Sequence, residues 1–196
     1  MPKVLILYYS QSGSTRLIAE KIALGATSTG CDAILRTVPA VSDNTSQSTP
    51  QVPDQGAPFV TLEDLQTCDA LALGSPTRFG NMAAPLKYFL DTTSKLWLRG
   101  DLIDKPACVF TSSASMHGGQ ETTLLSMMIP LLHHGMVICG LPYSAPELSS
   151  TRSGGTPYGV THVSFNAEKA ELSDDEIALS IAQGKRLAGM IRSKSH

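Results

Sequence analysis

The chain has 196 residues, 42% apolar and 16% charged, with 15 Lys and Arg against 17 Asp and Glu. That length suits one domain with an ample core, the composition is neither collagen-like nor low-complexity, and no run of eighteen apolar residues offers a membrane span. A formal charge of −2 argues against a broad nucleic-acid face and against the strongly acidic docking surface of a charge-steered electron carrier.

Apolar runs alternate with amphipathic segments. Lys3–Tyr9 is almost continuously apolar, the pattern of a strand covered on both faces of a parallel sheet. Ser14–Ala26 predicts a helix, with Ile18, Ile22 and Ala26 four residues apart. Asp32–Val38 predicts a second strand, Asp69–Leu73 a third, Ala107–Thr111 a fourth and Met136–Leu141 a fifth. Met82–Thr93 and Gln120–His134 have helical pattern, and Asp174–Ile191 is the last helix, opened by Ser173 and Glu176 in capping-box spacing. The expectation is α/β: a doubly wound five-stranded parallel sheet with helices on both faces, in a single domain over 1–196.

Two stretches break the rhythm. A Pro-rich insertion at 39–60 (prolines 39, 50, 53 and 58) replaces the helix due between strands two and three, leaving a short helical turn at Thr61–Gln66. A long loop at 142–172, rich in Gly, Ser, Thr and Pro, follows strand five. Loops of this length serve function or subunit contact, or are mobile surface excursions. The start, Met1-Pro2-Lys3 running straight into a strand, lacks the form of a signal peptide. Cys31, Cys68, Cys108 and Cys139 are widely spaced without a CxxC, which reads as reduced, buried thiols in a cytoplasmic protein.

Ligands of open α/β sheets bind beyond the carboxyl ends of the strands, and three loops there are unusual. Ser10-Gln11-Ser12-Gly13-Ser14-Thr15 sets four hydroxyls and a glycine at a helix start, where unpaired N–H groups favour an anion. Neither a Walker A nor a GxGxxG sequence, it suits a terminal monophosphate, or else a hydroxyl-capped helix without ligand; Arg16 follows it. Gly74–Asn81, containing Pro76, Thr77, Arg78, Phe79 and Gly80, is an irregular segment that presents peptide groups to a planar polar edge, or a structural turn. Thr111–Gln120, containing Ser112, Ser113, Ala114, Ser115, Met116, His117 and Gly118, is small enough for a flat ligand to lie against backbone. Three such loops on one edge point to a single nucleotide-like ligand.

Trp97, the only tryptophan, suits core or interface, or the wall of an aromatic-ligand site. His133 and His134 close a helix, where imidazoles complement the carbonyl end; they lack the spacing of a zinc site. No GxSxG elbow or Cys-x5-Arg loop supports a serine hydrolase or a cysteine phosphatase.

The strand and loop Val4–Ser10-x-x-Gly13 resemble the start of the flavodoxin-like proteins. Pro76-Thr77-Arg78-Phe79-Gly80-Asn81-Met82, His133-His134-Gly135-Met136-Val137-Ile138 and Gly154-Gly155-Thr156-Pro157-Tyr158-Gly159 resemble the WrbA family of tetrameric, FMN-dependent NAD(P)H:quinone oxidoreductases. The resemblance implies the flavodoxin-like strand order 2-1-3-4-5. It implies that Ser10 to Thr15 hold the FMN phosphate, that Pro76 to Asn81 contact the isoalloxazine, and that Ser112 to Gly118 cover the ribityl chain and ring edge. His133, orienting a substrate or donating a proton, and Trp97, in the substrate wall beside Ser12, would reach the flavin from neighbouring subunits. Two departures stand out: Ser12 is small where the family often has an aromatic residue, and Ala114-Ser115-Met116-His117 replaces a glycine-rich loop.

The activity so implied is two-electron, ping-pong reduction of quinones to hydroquinones, with NADH or NADPH as donor, protective against oxidative stress. Its partners would be those substrates and further copies of the chain, as dimer to tetramer, with no nucleic acid. The alternatives are a flavodoxin-type one-electron carrier and an FMN-binding, stress-associated scaffold.

Overall fold

The structure is a computed structural model that describes residues 1–42, 56–165 and 170–193. Residues 43–55 of the Pro-rich insertion and 166–169 of the long loop lie outside the described residues.

Five positions in one sheet carry the fold. The strands β1 (Lys3–Tyr8), β2 (Asp32–Thr37), β3 (Ala70–Arg78) and β5 (Pro106–Ser113) run parallel in the order β2-β1-β3-β5. The fifth position is split: β6 (Val137–Ile138) pairs with Pro106 and Ala107, and β7 (Val160–Val163) pairs with Phe110 to Ser113. This corrects the single strand expected over Met136–Leu141. Gln183 and Pro157 take up the carbonyl of Cys139 and the N–H of Leu141. The chain therefore leaves the sheet after Ile138 and returns 22 residues later. The long loop thus holds an edge strand and a short helix, α6 (Glu147–Ser150).

Side chains alternate between two cores because strand residues alternate faces. Val4, Ile6, Tyr8, Ala70, Ala72, Cys108 and Phe110 pack under α1 (Ser14–Thr27) and α7 (Asp174–Ser193). Leu5, Leu7, Leu71, Leu73 and Val109 face α2 (Leu62–Thr67), α3 (Ala84–Asp91), α4 (Ser94–Arg99) and α5 (Gln120–His133). Gly74 leaves room for the Phe110 ring, which a Cβ there would overlap. α1 and α7 approach through Gly25 and Gly184, each against a carbonyl of the other helix.

The elements depart from the expected ones in two further places. Residues 74–78 are strand, because Gly74, Ser75 and Pro76 pair with Phe110, Thr111 and Ser112 of β5. The helix expected at Met82–Thr93 begins only at Ala84, since Asn81–Met82 folds back on β3 as a short antiparallel strand, β4. Residues 94–99 then form α4, a further helix beyond the one expected at Met82–Thr93. The short turn ahead of β3 is α2, capped reciprocally by Thr61 and Asp64. Arg36 meets Asp64 at 3.0 Å. Burial raises the Asp64 pKa, but the Thr61 N–H, its hydroxyl and Arg36 together hold it below the usual carboxylate value. Ser173 and Glu176 form the expected capping box of α7. All four cysteines are buried thiols. Among the described residues no helix is long and apolar enough to cross a membrane.

Candidate functional site

The carboxyl ends of β1, β3 and β5 lie side by side, so their loops share one rim. Gly13 precedes α1 with φ 93°, a left-handed conformation that costs glycine little. It turns the chain so that, among the described residues, the N–H groups of Gln11 to Thr15 have no acceptor; the next, Arg16 N–H, donates to Ser10 Oγ at 3.3 Å. Unpaired amides at a helix start are an anion site. Tyr8, Ser10 to Gly13, Arg16, Thr37, Gly56 and Ala57 line a polar cavity of about 340 Å³ beside it. Burial lifts the Tyr8 phenol above its ordinary pKa, more than the Ala57 backbone and Arg16 lower it.

The second segment is a strand end and a two-residue hairpin. Arg78 pairs with Asn81, and both turn residues have positive φ, 53° at Phe79 and 77° at Gly80. That is the geometry of a type I′ turn, which Gly or Asn adopts freely and a phenylalanine does not. Phe79 is nonetheless fully exposed at the tip. An exposed ring on a strained backbone makes Phe79 a candidate for a functional role. Ser75 Oγ, fully buried, accepts the Ala83 N–H at 2.8 Å and so anchors the base of the hairpin.

The third segment begins as strand: Ser112 and Ser113 are the end of β5 and are buried. Beyond them Ser113 Oγ donates to Ser115 O (2.8 Å) and Gln120 Nε2 to Met116 O (3.0 Å), giving the turn a fixed shape. Ala114, Ser115 and His117 are exposed and Met116 is half-buried.

Side-chain bonds tie the three segments together. Arg78 Nη2 donates to Gln11 Oε1. Thr15 Oγ1 and Ser112 Oγ lie 2.9 Å apart in a buried contact. Thr77 Oγ1 donates to Gly118 O (3.4 Å) and accepts from Thr123 Oγ1 (2.8 Å). Thr123 escaped the sequence reading because a threonine inside a helix carries no signal of its own. The rim thus offers unpaired N–H donors and hydroxyls at one end and peptide edges with an exposed phenyl ring at the other. Those donors fit a phosphomonoester joined to a planar polar ring.

His133 and Trp97 are elsewhere. They line a groove of about 380 Å³ between α3, α4 and α5, with Leu90, Thr93, Ile129 and His134. The 14 residues of α5 separate His133 from the Gly118–Gly119 turn, about 20 Å at helical rise. One chain therefore does not bring these two residues to the rim. His134 donates from Nε2 to Thr93 Oγ1 at 2.9 Å, since that hydroxyl gives its own proton to Leu90 O. Burial, with His133 adjacent, holds the His134 pKa below the ordinary histidine value. Among the described residues no group of three or more His, Cys, Asp or Glu is placed to hold a metal ion.

Solved structures share this fold at low sequence identity. A flavodoxin, WrbA-like protein from Agrobacterium tumefaciens superposes with a TM-score of 0.66 at 21% identity, covering 98% of this chain and 99% of that one. A flavodoxin from the domain Archaea gives 0.65 at 19%, over 97% and 99%. A flavone reductase gives 0.65 at 11%, over 99% of this chain and 64% of its own. The fold is flavodoxin-like. At the level of sequence, the family described as NADPH-dependent FMN reductase matches residues 2–147, and the chain belongs to that family of flavin oxidoreductases.

Proposed function

We propose that the chain is an FMN-dependent NAD(P)H:quinone oxidoreductase of the WrbA type. The observation that carries this reading is the rim itself: three strand-end segments locked by Arg78–Gln11, Thr15–Ser112 and Thr77–Gly118, with five amides at one end that have no acceptor among the described residues. Ser10 to Thr15 bind the phosphate through those amides and their hydroxyls. Pro76 to Asn81 offer N–H and C=O groups to the polar ring edge, where donors stabilise developing negative charge, and Phe79 gives apolar contact. Ser112 to Gly118 back the ribityl chain. Bound there, FMN supplies the hydride chemistry, so the chain needs no nucleophile or carboxylate pair of its own.

The exposed apolar side chains of Trp97, Leu98, Ile129 and Leu132 form a surface on α4 and α5 suited to further copies of the chain. In a dimer or tetramer this surface carries His133 and Trp97 to a neighbour's rim, where His133 orients a quinone oxygen. The four buried thiols fit work in the reducing cytoplasm.

Added FMN should bind with a shifted flavin absorption spectrum, and the loaded protein should oxidise NADH or NADPH in step with benzoquinone reduction. The fold shared with flavodoxins favours a second reading, a one-electron carrier. Stopped-flow mixing with NADH separates the two: bleaching without a partner protein supports the enzyme, and its absence supports the carrier.

A further inference from the structure

A buried histidine and glutamate stand behind the phosphate end of the rim. His162, on β7, is in register with Ser112, the residue whose hydroxyl meets Thr15. Parallel partners in register point to the same face, so the imidazole lies one strand from that contact. The chain ahead of α7 also passes the loop, because a Cβ at Gly13 would lie 4.0 Å from the Ala170 methyl. His162 Nδ1 is 2.9 Å from Glu176 Oε2, and both residues are buried. The carboxylate further accepts the N–H groups of Gly154 (2.9 Å), Ser173 (2.9 Å) and Val163 (3.2 Å). With so many donors Glu176 stays an anion, and His162 keeps Nδ1–H toward it. The other ring nitrogen, Nε2, is buried and has no partner among the described residues.

The loop itself carries no charged side chain between Ser10 and Thr15. Arg16, the nearest cation in sequence, is half-buried, lines the cavity beside the loop and lies 3.6 Å from Glu20. Glu171 and Asp174 line a surface pocket with Val163 and Glu176, and among the described residues Glu176 is the charged group in hydrogen-bond contact with His162.

We propose that the His162–Glu176 pair is a proton acceptor coupled to the phosphate loop: when a phosphomonoester dianion enters, His162 takes one proton from solvent onto Nε2. Nδ1–H remains on Glu176, no other bond changes, and the bound dianion gains a buried counter-charge that a phosphate-free analogue cannot recruit. The proposal rests on the reading of Ser10 to Thr15 as a phosphate site.

Calorimetric titration with FMN at pH 7.5, in two buffers of different ionisation enthalpy, counts the protons. At this pH the ligand's phosphate is already a dianion, with its second ionisation near pH 6. The wild-type chain should take up roughly half a proton or more per FMN, as expected when a histidine is shifted across neutral pH. Riboflavin should bind with none. His162→Gln should bind riboflavin as before, take up no proton with FMN, and lose FMN affinity several-fold at pH 6 relative to pH 8. Circular dichroism melts confirm that the variant is folded; if it is not, nitrogen NMR of the His162 ring in the wild-type chain, with and without FMN, must show it protonating. FMN binding without proton uptake, or with the same uptake in His162→Gln, overturns the proposal and leaves the flavin reading intact. Failure of FMN to bind at all removes both.

Discussion

The hydroxyls of Thr15 and Ser112 meet at 2.9 Å in a buried contact between residues 97 apart in sequence. One stands in the first turn of α1 and the other at the end of β5, so this bond joins the first and third segments of the rim. Thr15→Val keeps the shape and leaves Ser112 with an unpaired buried hydroxyl. The expected cost is about 1–3 kcal/mol in urea unfolding. The double variant with Ser112→Ala should recover part of it, because both partners are then apolar. Equal loss in the double and single variants would show that the bond is not what matters there.

At Phe79 stability and binding should move in opposite directions. Its φ of 53° is costly for a phenylalanine, and its ring is fully exposed, so no packing is lost on replacement. Phe79→Asn suits the turn and should raise stability by about 1 kcal/mol. On the proposed function it should also weaken FMN binding. Thermal melts of the apoprotein and fluorescence titration with FMN read the two effects separately.

Gly184 faces the backbone of Ile22 with no space for a methyl group. Gly184→Ala adds the helix propensity of alanine, about 1 kcal/mol in its favour at an exposed site. Here the obstacle is a carbonyl that cannot rotate away, and overpacking of this kind costs about 1–3 kcal/mol or more. The net effect should be destabilising in guanidinium unfolding. Gly189→Ala on the same helix meets nothing within 4 Å and should be neutral or stabilising.

His134 sets a pH dependence whose sign follows from its surroundings. Its Nδ1 is buried with no partner among the described residues, so the charged ring would carry a donor without an acceptor. The folded-state pKa is therefore lowered, by burial first and His133 second. The unfolded chain binds this proton more readily, so stability is intact above the unfolded value near 6.5 and declines as pH falls below it toward the folded value. Melts between pH 8 and pH 5 should show that decline, and His134→Gln should reduce it. A ring titration at or above 6.5 by NMR would contradict the assignment.

Much of the architecture could be read from residue pattern, and the reasons differ by element. β1, β3 and β5 were visible because strands covered on both faces are apolar along most of their length, as Val4–Leu7 and Leu71–Leu73 are, and β2, at the sheet edge, was visible from Ala33-Ile34-Leu35 between polar ends. β7 was not, because Thr161 and His162 are polar and sit among Gly, Ser and Thr; they are accommodated by Gly155 N–H and Glu176, partners that no local pattern announces. The strand character of Ser75 and Pro76 was hidden for the same reason: it depends on the β5 residues opposite them. The three rim segments were legible as loops of unusual composition at strand ends. Their cross-links were not, since Arg78–Gln11 and Thr77–Gly118 join residues 67 and 41 positions apart. The separation of His133 and Trp97 from the rim follows from α5 running back along the sheet, which helix length alone would have shown.

The divided outer strand has a consequence for life at high concentration. An uninterrupted strand along β5 would expose its free N–H and C=O groups as a template for other chains, the route to fibrous aggregates. Two pieces of two and four residues, parted by the excursion from Cys139 to Gly159, offer no register long enough to recruit one. Shortening that excursion to a tight turn that fuses the pieces should leave the core intact and make the protein prone to precipitate.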